Sequence, residues 1–234
     1  MSNLIFVVGK KRSGKDTVSD YITMKHKGTK YQLAGPIKQT LYQCSRQLED
    51  SLGFRLSLDD WMGEGRVDRE QVLLLSNREA ADFLTNCVNH LRTRYNLRML
   101  NESSWVVEKV VLNNNEPWSM RRFMQTLGTD IVCNELDRMF WLKLFGNVYI
   151  DQFEETDYFV VPDTRQDHEL SCARAMGATV IHVVRPEQEA VQQDTHITEA
   201  GLPIRKGDIV IMNDGTLEDL FNKIDSTLEE IKVK

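Results

Sequence analysis

A segment rich in glycine and lysine near the start of the chain has the composition of a phosphate-binding loop. It runs from Gly9 to Thr17 with the sequence GKKRSGKDT and satisfies the pattern G-x-x-x-x-G-K. The glycines of such a loop let the backbone wrap around a phosphate, and the following helix points its first N–H groups at it. Lys15 can then reach the outer phosphates of a nucleotide. A glycine-rich turn without a nucleotide is the alternative.

The residue after the lysine of this motif departs from the usual pattern. Asp16 stands where serine or threonine is common. A carboxylate is a hard oxygen ligand, so Asp16 could bind Mg²⁺ directly or through water. Thr17 keeps a hydroxyl group one residue later, which suits the α-phosphate. The alternative is that Asp16 only caps the helix and favours its first turn.

Three further cations, Lys10, Lys11 and Arg12, lie inside the same loop. Together with Lys15 they give four positive charges within six residues. A single triphosphate does not obviously need all four charges, whereas two phosphorylated substrates that meet at the loop would use them better. A solvated basic loop tip is the alternative interpretation.

A second candidate acid follows an apolar run in the C-terminal third of the chain. The run Tyr158–Val161 is followed by Pro162 and Asp163. In enzymes with a phosphate loop, an aspartate at the end of a strand holds the Mg²⁺ shell, and ligands of open parallel sheets bind at that edge. Arg165 lies two residues further on and can place a guanidinium over a phosphate.

Two adjacent arginines occur in a segment with helical spacing, from Trp118 to Asp130. Arg121 or Arg122 shares a helical face with Gln125 about one turn later. An arginine can hold a monophosphate, and an amide can pair with the edge of a base. The alternative is an amphipathic helix with solvated arginines, and the residues alone favour that alternative.

The spacing of apolar residues predicts strands that alternate with helices. Strands are predicted at Leu4–Val8, Tyr31–Ala34, Tyr158–Val161, Ala178–Val184 and Asp208–Met212, with a further candidate at Trp105–Leu112. Helices are predicted at Thr17–Met24, from Gly35, over Trp118–Phe145 with a break near Gly128 and Thr129, at Asp167–Met176 before Gly177, and from Leu217 to Ile231.

This alternation predicts an α/β fold of the three-layer P-loop class, with a parallel sheet as its core. Residues 1–40 and 152–234 are expected to form the core, and residues 41–151 a mainly helical insertion within a single domain. A length of 234 residues with 41% hydrophobic residues supports a core of this size.

Composition also excludes several classes of protein. The net charge of −6 disfavours direct binding of nucleic acid through a basic surface. The longest apolar runs are about five residues, far short of the roughly 20 that a membrane span needs. The four cysteines are scattered, without metal-binding spacing, and are expected to be reduced thiols in a cytosolic protein.

The motifs above have a counterpart in a known family. The chain resembles the deoxynucleoside monophosphate kinases of the T-even bacteriophage type. The resemblance covers most of the chain and is densest at Lys11–Thr17, Lys30–Lys38, Met124–Asp130, Val161–Glu169, Asp194–Arg205 and Asn213–Gly215. Asp16 is itself part of the family pattern. Between about Tyr42 and Asn115 the likeness is patchy, with Asp68–Glu70 as its best anchor.

The resemblance implies a fold, a reaction and an assembly. The fold would have a P-loop sheet core, an acceptor-binding helical segment and a small lid at about 186–206. The reaction would be transfer of the γ-phosphate of ATP, with Mg²⁺, to dTMP, dGMP or 5-hydroxymethyl-dCMP, for the synthesis of phage DNA precursors. The assembly would be a homodimer in the cytoplasm of the host cell, with no membrane partner.

The resemblance, together with the motifs, implies roles for individual residues. Catalysis is expected from Lys15, Asp163 and Arg165, and Mg²⁺ binding from Asp16 and Asp163. ATP is expected to contact Arg12, Ser13, Gly14, Lys15, Asp16, Thr17, Arg185 and Asn213, with Asn213 bordering adenine. The acceptor is expected to contact Lys11, Lys38, Arg69, Arg121, Arg122, Gln125, Gly128, Thr129 and Trp141. Arg121 is preferred over Arg122 as the phosphate ligand, and Trp141 could equally be a core residue.

Two other functions share the same phosphate loop. One is a kinase for a small metabolite, such as a dephospho-coenzyme A kinase. The other is a P-loop ATPase that acts as a switch or in DNA packaging. The switch would hydrolyse ATP without an acceptor, whereas a kinase would form ADP only when its acceptor is present.

Overall fold

The computed structural model describes residues 3–99, 102–186 and 202–232. The chain divides into two compact units, which we call the sheet unit (Met1–Leu33 with Phe145–Lys234) and the helical unit (Ala34–Leu144). The helical insertion expected from sequence has its bounds at residues 41 and 151 instead. Most of the expected lid, at about 186–206, lies outside the described residues.

Five parallel strands form the centre of the sheet unit. They are β1 (Asn3–Val8), β2 (Gly28–Lys30), β3 (Tyr158–Val161), β4 (Thr179–Val184) and β5 (Ile209–Met212), in the order β2-β3-β1-β4-β5. The continuous apolar runs of β1 and β3 are buried, as expected for strands covered on both faces. This confirms the predicted α/β fold.

Helices cover both faces of this sheet. They are α1 (Lys15–Lys25), the end of α8 (Phe140–Gln152), α9 (Asp167–Ala175) and α10 (Leu217–Lys232). Val18 of α1 and Ile224 of α10 belong to one core cluster with Ile5 and Val7 of β1. On the opposite face, the ring of Phe6 meets that of Phe145 in α8, with centroids 5.6 Å apart. The alternation of side chains along β1 therefore produces three layers.

The parallel register brings the carboxyl ends of four strands to one edge of the sheet. Phe6 of β1 pairs with Val161 of β3, and Val184 of β4 pairs with Met212 of β5. The segments that follow β1, β3, β4 and β5 therefore start side by side. These segments carry the phosphate loop, Asp163, Arg185 and Asn213.

The helical unit packs its helices around an apolar centre of its own. They are α2 (Gly35–Cys44), a 3₁₀ turn (Ser45–Leu48), α3 (Glu49–Leu52), α4 (Leu58–Met62), α5 (Asn77–Tyr95), α6 (Ser103–Val111), α7 (Met120–Gln125), a π-helical segment (Thr126–Leu136) and the start of α8. The rings of Trp61, Phe83 and Phe123 are fully buried at this centre. A helical region here agrees with the expectation from sequence.

Three local predictions were wrong. The candidate strand Trp105–Leu112 is α6, in which Val106, Val107 and Val111 are buried at helical spacing. The strand expected at Tyr31–Ala34 lies earlier in the chain, as β2, and ends at Lys30. The backbone after Lys30 leaves the strand, and the N–H of Leu33 donates to Asp163 at 2.8 Å. No break occurs at Gly128, where the chain continues as the π-helical segment until Leu136.

No helix among the described residues is long and apolar enough to cross a membrane.

The other predicted helices are present: α1, α2, α9 and α10 lie where the spacing of their apolar residues predicted them. Gly177, in the left-handed region at φ 76°, follows α9 as expected for a residue that ends a helix.

Candidate active site

The segment between β1 and α1 folds as a phosphate loop. The N–H of Ser13 donates to the carbonyl oxygen of Lys10 at 3.1 Å, which closes a turn. Arg12 (φ 64°) and Gly14 (φ 102°) both have left-handed backbone conformations, and Gly14 caps the N-terminus of α1. Left-handed residues within such turns create concave arrays of N–H groups that bind anions. Both structural contexts that the motif requires are present.

Two glycines of the loop are required by close contacts. A Cβ on Gly9 would lie 2.3 Å from Oγ of Ser13 and 2.6 Å from the carbonyl oxygen of Val183. A Cβ on Gly14 would lie 2.6 Å from Nδ2 of Asn213. The loop can therefore approach both the sheet and the segment after β5 only because these positions lack side chains.

A cavity of about 390 Å³ opens above the loop. Its volume lies within the range of small-molecule and cofactor sites. It is lined by Arg12, Gly14, Lys15, Asp16, Thr17, Arg185, Asn213, Gly215, Leu217 and Leu220. All residues expected to bind ATP line it except Ser13, a residue of the loop that is itself buried. Three cationic side chains against one carboxylate make the cavity suitable for a polyanion such as a nucleoside triphosphate.

The two carboxylates expected to bind Mg²⁺ belong to this edge of the sheet. Asp16 is exposed and lines the cavity, and it is not the cap of α1, since Gly14 holds that position without a side-chain bond. Asp163 follows β3 and accepts the N–H of Leu33 through Oδ1. Among the described residues, no group of three or more histidines, cysteines or acids could hold a metal. Mg²⁺ commonly takes one or two carboxylates and completes its shell with phosphates and water, so this donor set fits.

Glu169 is a buried acid beside the expected catalytic residues that the sequence analysis did not assign. Its Oε2 accepts the N–H groups of Arg165 at 2.8 Å and Gln166 at 2.9 Å, and the residue is only 6% exposed. Burial raises the pKa of Glu169 to about 7, and the charge of Asp163 acts in the same direction. Glu169 thus fixes the backbone of Arg165 against the start of α9. The local signal for it in the sequence is the capping-box spacing Gln166-x-x-Glu169.

In the helical unit, a contact between distant segments brings two of the expected acceptor ligands together. The N–H of Arg121 donates to the carbonyl oxygen of Arg69 at 2.9 Å. The guanidinium of Arg121 pairs with Glu70, and that of Arg69 lies against Gly63, where a Cβ would be 2.6 Å from Cζ. The backbone contact therefore makes Arg69 and Arg121 neighbours, and we call these two residues the Arg69–Arg121 cluster.

Arg122 lies in a different environment. It pairs with Glu116 at 3.3 Å and reaches Oδ1 of Asn114 at 3.4 Å. Among the described residues, Nε of Arg122, Nε2 of Gln125 and Oγ1 of Thr126 are buried without a hydrogen-bond partner. Gln125 and Thr126 follow Arg122 by three and four positions, so both share a face of the helix with Arg122. Buried donors without partners are unfavourable unless a ligand satisfies them.

The remaining expected acceptor residues are mostly buried. Lys38 and Thr129 are 8% and 5% exposed. The indole N–H of Trp141 donates to the carbonyl oxygen of Gly128 at 2.9 Å, and a Cβ on Gly128 would lie 2.6 Å from Cδ1 of Ile37. Trp141 therefore fixes the backbone at Gly128, as a core residue would. Lys11, the remaining residue expected to bind the acceptor, is exposed on the phosphate loop in the sheet unit.

Comparison with known proteins decides the family. The sequence model of the family described as deoxynucleotide monophosphate kinase matches residues 3–224. This chain belongs to that family. The kinase is 47% identical over 240 residues to a deoxynucleotide monophosphate kinase of Enterobacteria phage T4, covering 97% of this chain and 98% of the relative. It is 43% identical over 244 residues to one of Escherichia phage RB69, covering 96% and 99%.

Membership makes this chain an enzyme, a nucleotide kinase, which confirms the predicted family and enzyme class. Among solved structures, the kinase is similar to a dephospho-CoA kinase from Campylobacter jejuni. The sequence identity is 12% and the TM-score 0.38, with coverage of 98% of this chain and 97% of the other. That score is too low to support a conclusion about function.

Proposed function

We propose that this kinase transfers the γ-phosphate of ATP to the 5′-phosphate of a deoxynucleoside monophosphate and releases ADP and the deoxynucleoside diphosphate. The proposed acceptors are dTMP, dGMP and 5-hydroxymethyl-dCMP. The cavity above the phosphate loop carries the donor half of this proposal, since its cationic lining suits a triphosphate. The names of the two phage relatives support a deoxynucleoside monophosphate as acceptor.

The donor binds along the loop that joins β1 to α1. Lys15 and Arg12 neutralise phosphate charge, while the N-terminus of α1 adds its first N–H groups. Asp16 and Asp163 would hold Mg²⁺, which when bound neutralises charge on the β- and γ-phosphate oxygens. Because the cap of α1 is Gly14, Asp16 is available for this role.

Arg165 stabilises the phosphoryl group during transfer. Glu169 accepts the backbone N–H of Arg165 and so fixes the point from which this side chain starts, on the segment that carries Asp163. Phosphoryl transfer requires alignment of the two phosphates and compensation of their charge rather than covalent participation by the protein. Lys15 and Arg165 supply that compensation.

The acceptor is held by residues of the helical unit. The Arg69–Arg121 cluster binds the monophosphate, because a guanidinium can bind two phosphate oxygens at once. Lys38 adds charge from α2. The amide of Gln125 pairs with the base, and Gly128, Thr129 and Trp141 shape the pocket for the deoxynucleoside. Arg122 is the second candidate for the phosphate.

A coupled assay of ADP formation tests this proposal. The kinase is supplied with ATP and Mg²⁺ and with dTMP, dGMP, 5-hydroxymethyl-dCMP, dephospho-coenzyme A or no acceptor. The proposal expects ADP with one or more deoxynucleoside monophosphates and only a background rate otherwise. ADP formation with dephospho-coenzyme A alone would identify a metabolite kinase, and an equal rate without acceptor would identify an ATPase.

A further inference from the structure

Asn213 connects the end of the sheet to the phosphate loop. It is the first residue after β5, and its own N–H donates to the carbonyl oxygen of Val184 at 2.8 Å, which fixes its backbone beside β4. Its side-chain amide donates from Nδ2 to the carbonyl oxygen of Ser13 at 2.9 Å. The asparagine therefore joins two segments that lie 200 residues apart in the sequence.

The bond to Ser13 determines which way one peptide group of the loop faces. The described peptide bonds are all trans, and in a trans peptide the C=O and N–H groups point in opposite directions. Because the carbonyl of Ser13 points at Asn213, the N–H of Gly14 in the same peptide points away from it. Gly14 is the first residue of the helix N-terminus that receives the phosphates.

The contact is tight and specific for a donor. A Cβ on Gly14 would lie only 2.6 Å from Nδ2 of Asn213, so the amide of Asn213 packs directly against Gly14. Gly14 has φ 102°, a conformation open mainly to glycine. Because glycine allows other backbone conformations as well, the Ser13–Gly14 peptide could rotate if the hydrogen bond from Asn213 were absent. Only a side chain that donates a hydrogen bond can satisfy the Ser13 carbonyl from this position.

We infer that Asn213 is a positioning residue for the phosphate loop, which orients the Ser13–Gly14 peptide for the triphosphate of the donor and does not read its base. This inference rests on the proposed use of a nucleoside triphosphate. It differs from the expectation that Asn213 borders adenine. The two roles make opposite predictions about which part of the donor loses affinity when the amide is removed.

Binding measurements on substituted kinase separate the two roles. The variants are Asn213→Ala and Asn213→Leu, the second keeping about the size of the side chain while removing the N–H donor without adding charge. Isothermal titration in MgCl₂ without acceptor uses ATP, GTP, inorganic tripolyphosphate and adenosine as probes. Asn222→Ala, which changes an exposed asparagine on α10 of the same unit, is the matched control.

We expect both Asn213 variants to lose affinity by a similar factor, roughly five- to tenfold, for ATP, GTP and tripolyphosphate, with adenosine and the control unchanged. A loss confined to ATP and adenosine would overturn the inference in favour of adenine contact. Unchanged binding of all four probes in folded Asn213→Leu would also overturn it. Failure of the unsubstituted kinase to bind any triphosphate would overturn the proposed function as well, so the two failures are distinguishable.

Discussion

Glu169 is a single carboxyl group whose burial makes the stability of the sheet unit depend on pH. Its pKa of about 7 in the folded state exceeds the ordinary value near 4.5. Between these values the folded protein holds a proton that the unfolded chain releases. The free energy of unfolding therefore falls as the pH rises through this window, by about 3 kcal/mol in total.

Glu169→Gln should remove this pH dependence. The amide oxygen of glutamine can still accept both N–H groups but cannot ionise. Urea unfolding at pH 5 and pH 8 should show a smaller difference for the variant than for the unsubstituted kinase. Glu79→Gln is the control, because that partly exposed capping acid has a pKa of about 2 and stays ionised across the window. Equal slopes for Glu169→Gln and the unsubstituted kinase would contradict this assignment.

Substitution of Asp16, again a single residue, tests the proposed Mg²⁺ site. Asp16→Asn removes the charge, so the Mg²⁺ concentration for half-maximal rate should rise and kcat should fall. The melting temperature should change little, because Gly14 caps α1. Steady-state rates across a Mg²⁺ titration measure this effect. Asp20→Asn, on the same helix and paired with Lys30, serves as control, and an unaltered titration for Asp16→Asn would favour a purely helical role.

Arg121 tests the acceptor phosphate. Arg121→Ala should raise the KM for the monophosphate far more than the KM for ATP. Loss of a charge-assisted bidentate contact costs about 2 kcal/mol, or about thirtyfold in KM. Steady-state kinetics with each nucleotide varied in turn measure the two KM values separately. Arg78→Ala, at an exposed arginine of the same unit, is the matched control. Equal changes in both KM values would remove Arg121 from the acceptor site.

At the scale of elements, the strand that precedes the phosphate loop leaves room only for glycine at its end. Gly9→Ala should lower both the melting temperature and the affinity for ATP, since the new Cβ would approach the backbone oxygen of Val183 within 2.6 Å. Gly146→Ala is the contrasting variant. No described atom lies within 4 Å of a Cβ there, and alanine in helix α8 should stabilise the protein by up to about 1 kcal/mol.

Thermal unfolding and ATP titration of both glycine variants make this comparison. A Gly9→Ala protein that melts and binds ATP like the unsubstituted kinase would show that the loop can move away from the sheet at little cost.

The elements that sequence predicted well are those with one strong local signal. The strands β1 and β3 and the helix α10 have unbroken or strictly spaced apolar residues, and the loop after β1 has its own motif. The segment of helix α6 was wrongly predicted as a strand, because it contains four β-branched residues that favour strands in isolation: Val106, Val107, Val110 and Val111. Packing of its buried face in the helical unit decided the structure there.

At the scale of the whole molecule, the expected donor residues lie in the sheet unit, and the expected acceptor residues other than Lys11 lie in the helical unit. The expected ATP ligands belong to the sheet unit, whereas Lys38, Arg69, Arg121 and Gln125 belong to the helical unit. Contacts within each unit join residues far apart in sequence, as Arg69 joins Arg121 and Ser13 joins Asn213. Spacing along the chain does not encode such pairings, so the sequence could nominate these residues as candidates but could not predict the contacts between them.

The transfer of labelled phosphate from γ-labelled ATP to dTMP is the most direct test of the central claim. We expect label to appear in dTDP in equal amount to the ADP formed, and no label to be released as free phosphate. Lys15→Ala should remain folded and lose roughly a hundredfold or more in rate, because a cation on the transferring group stabilises the transition state. Release of the label as inorganic phosphate, or near-normal transfer by folded Lys15→Ala, would contradict this account.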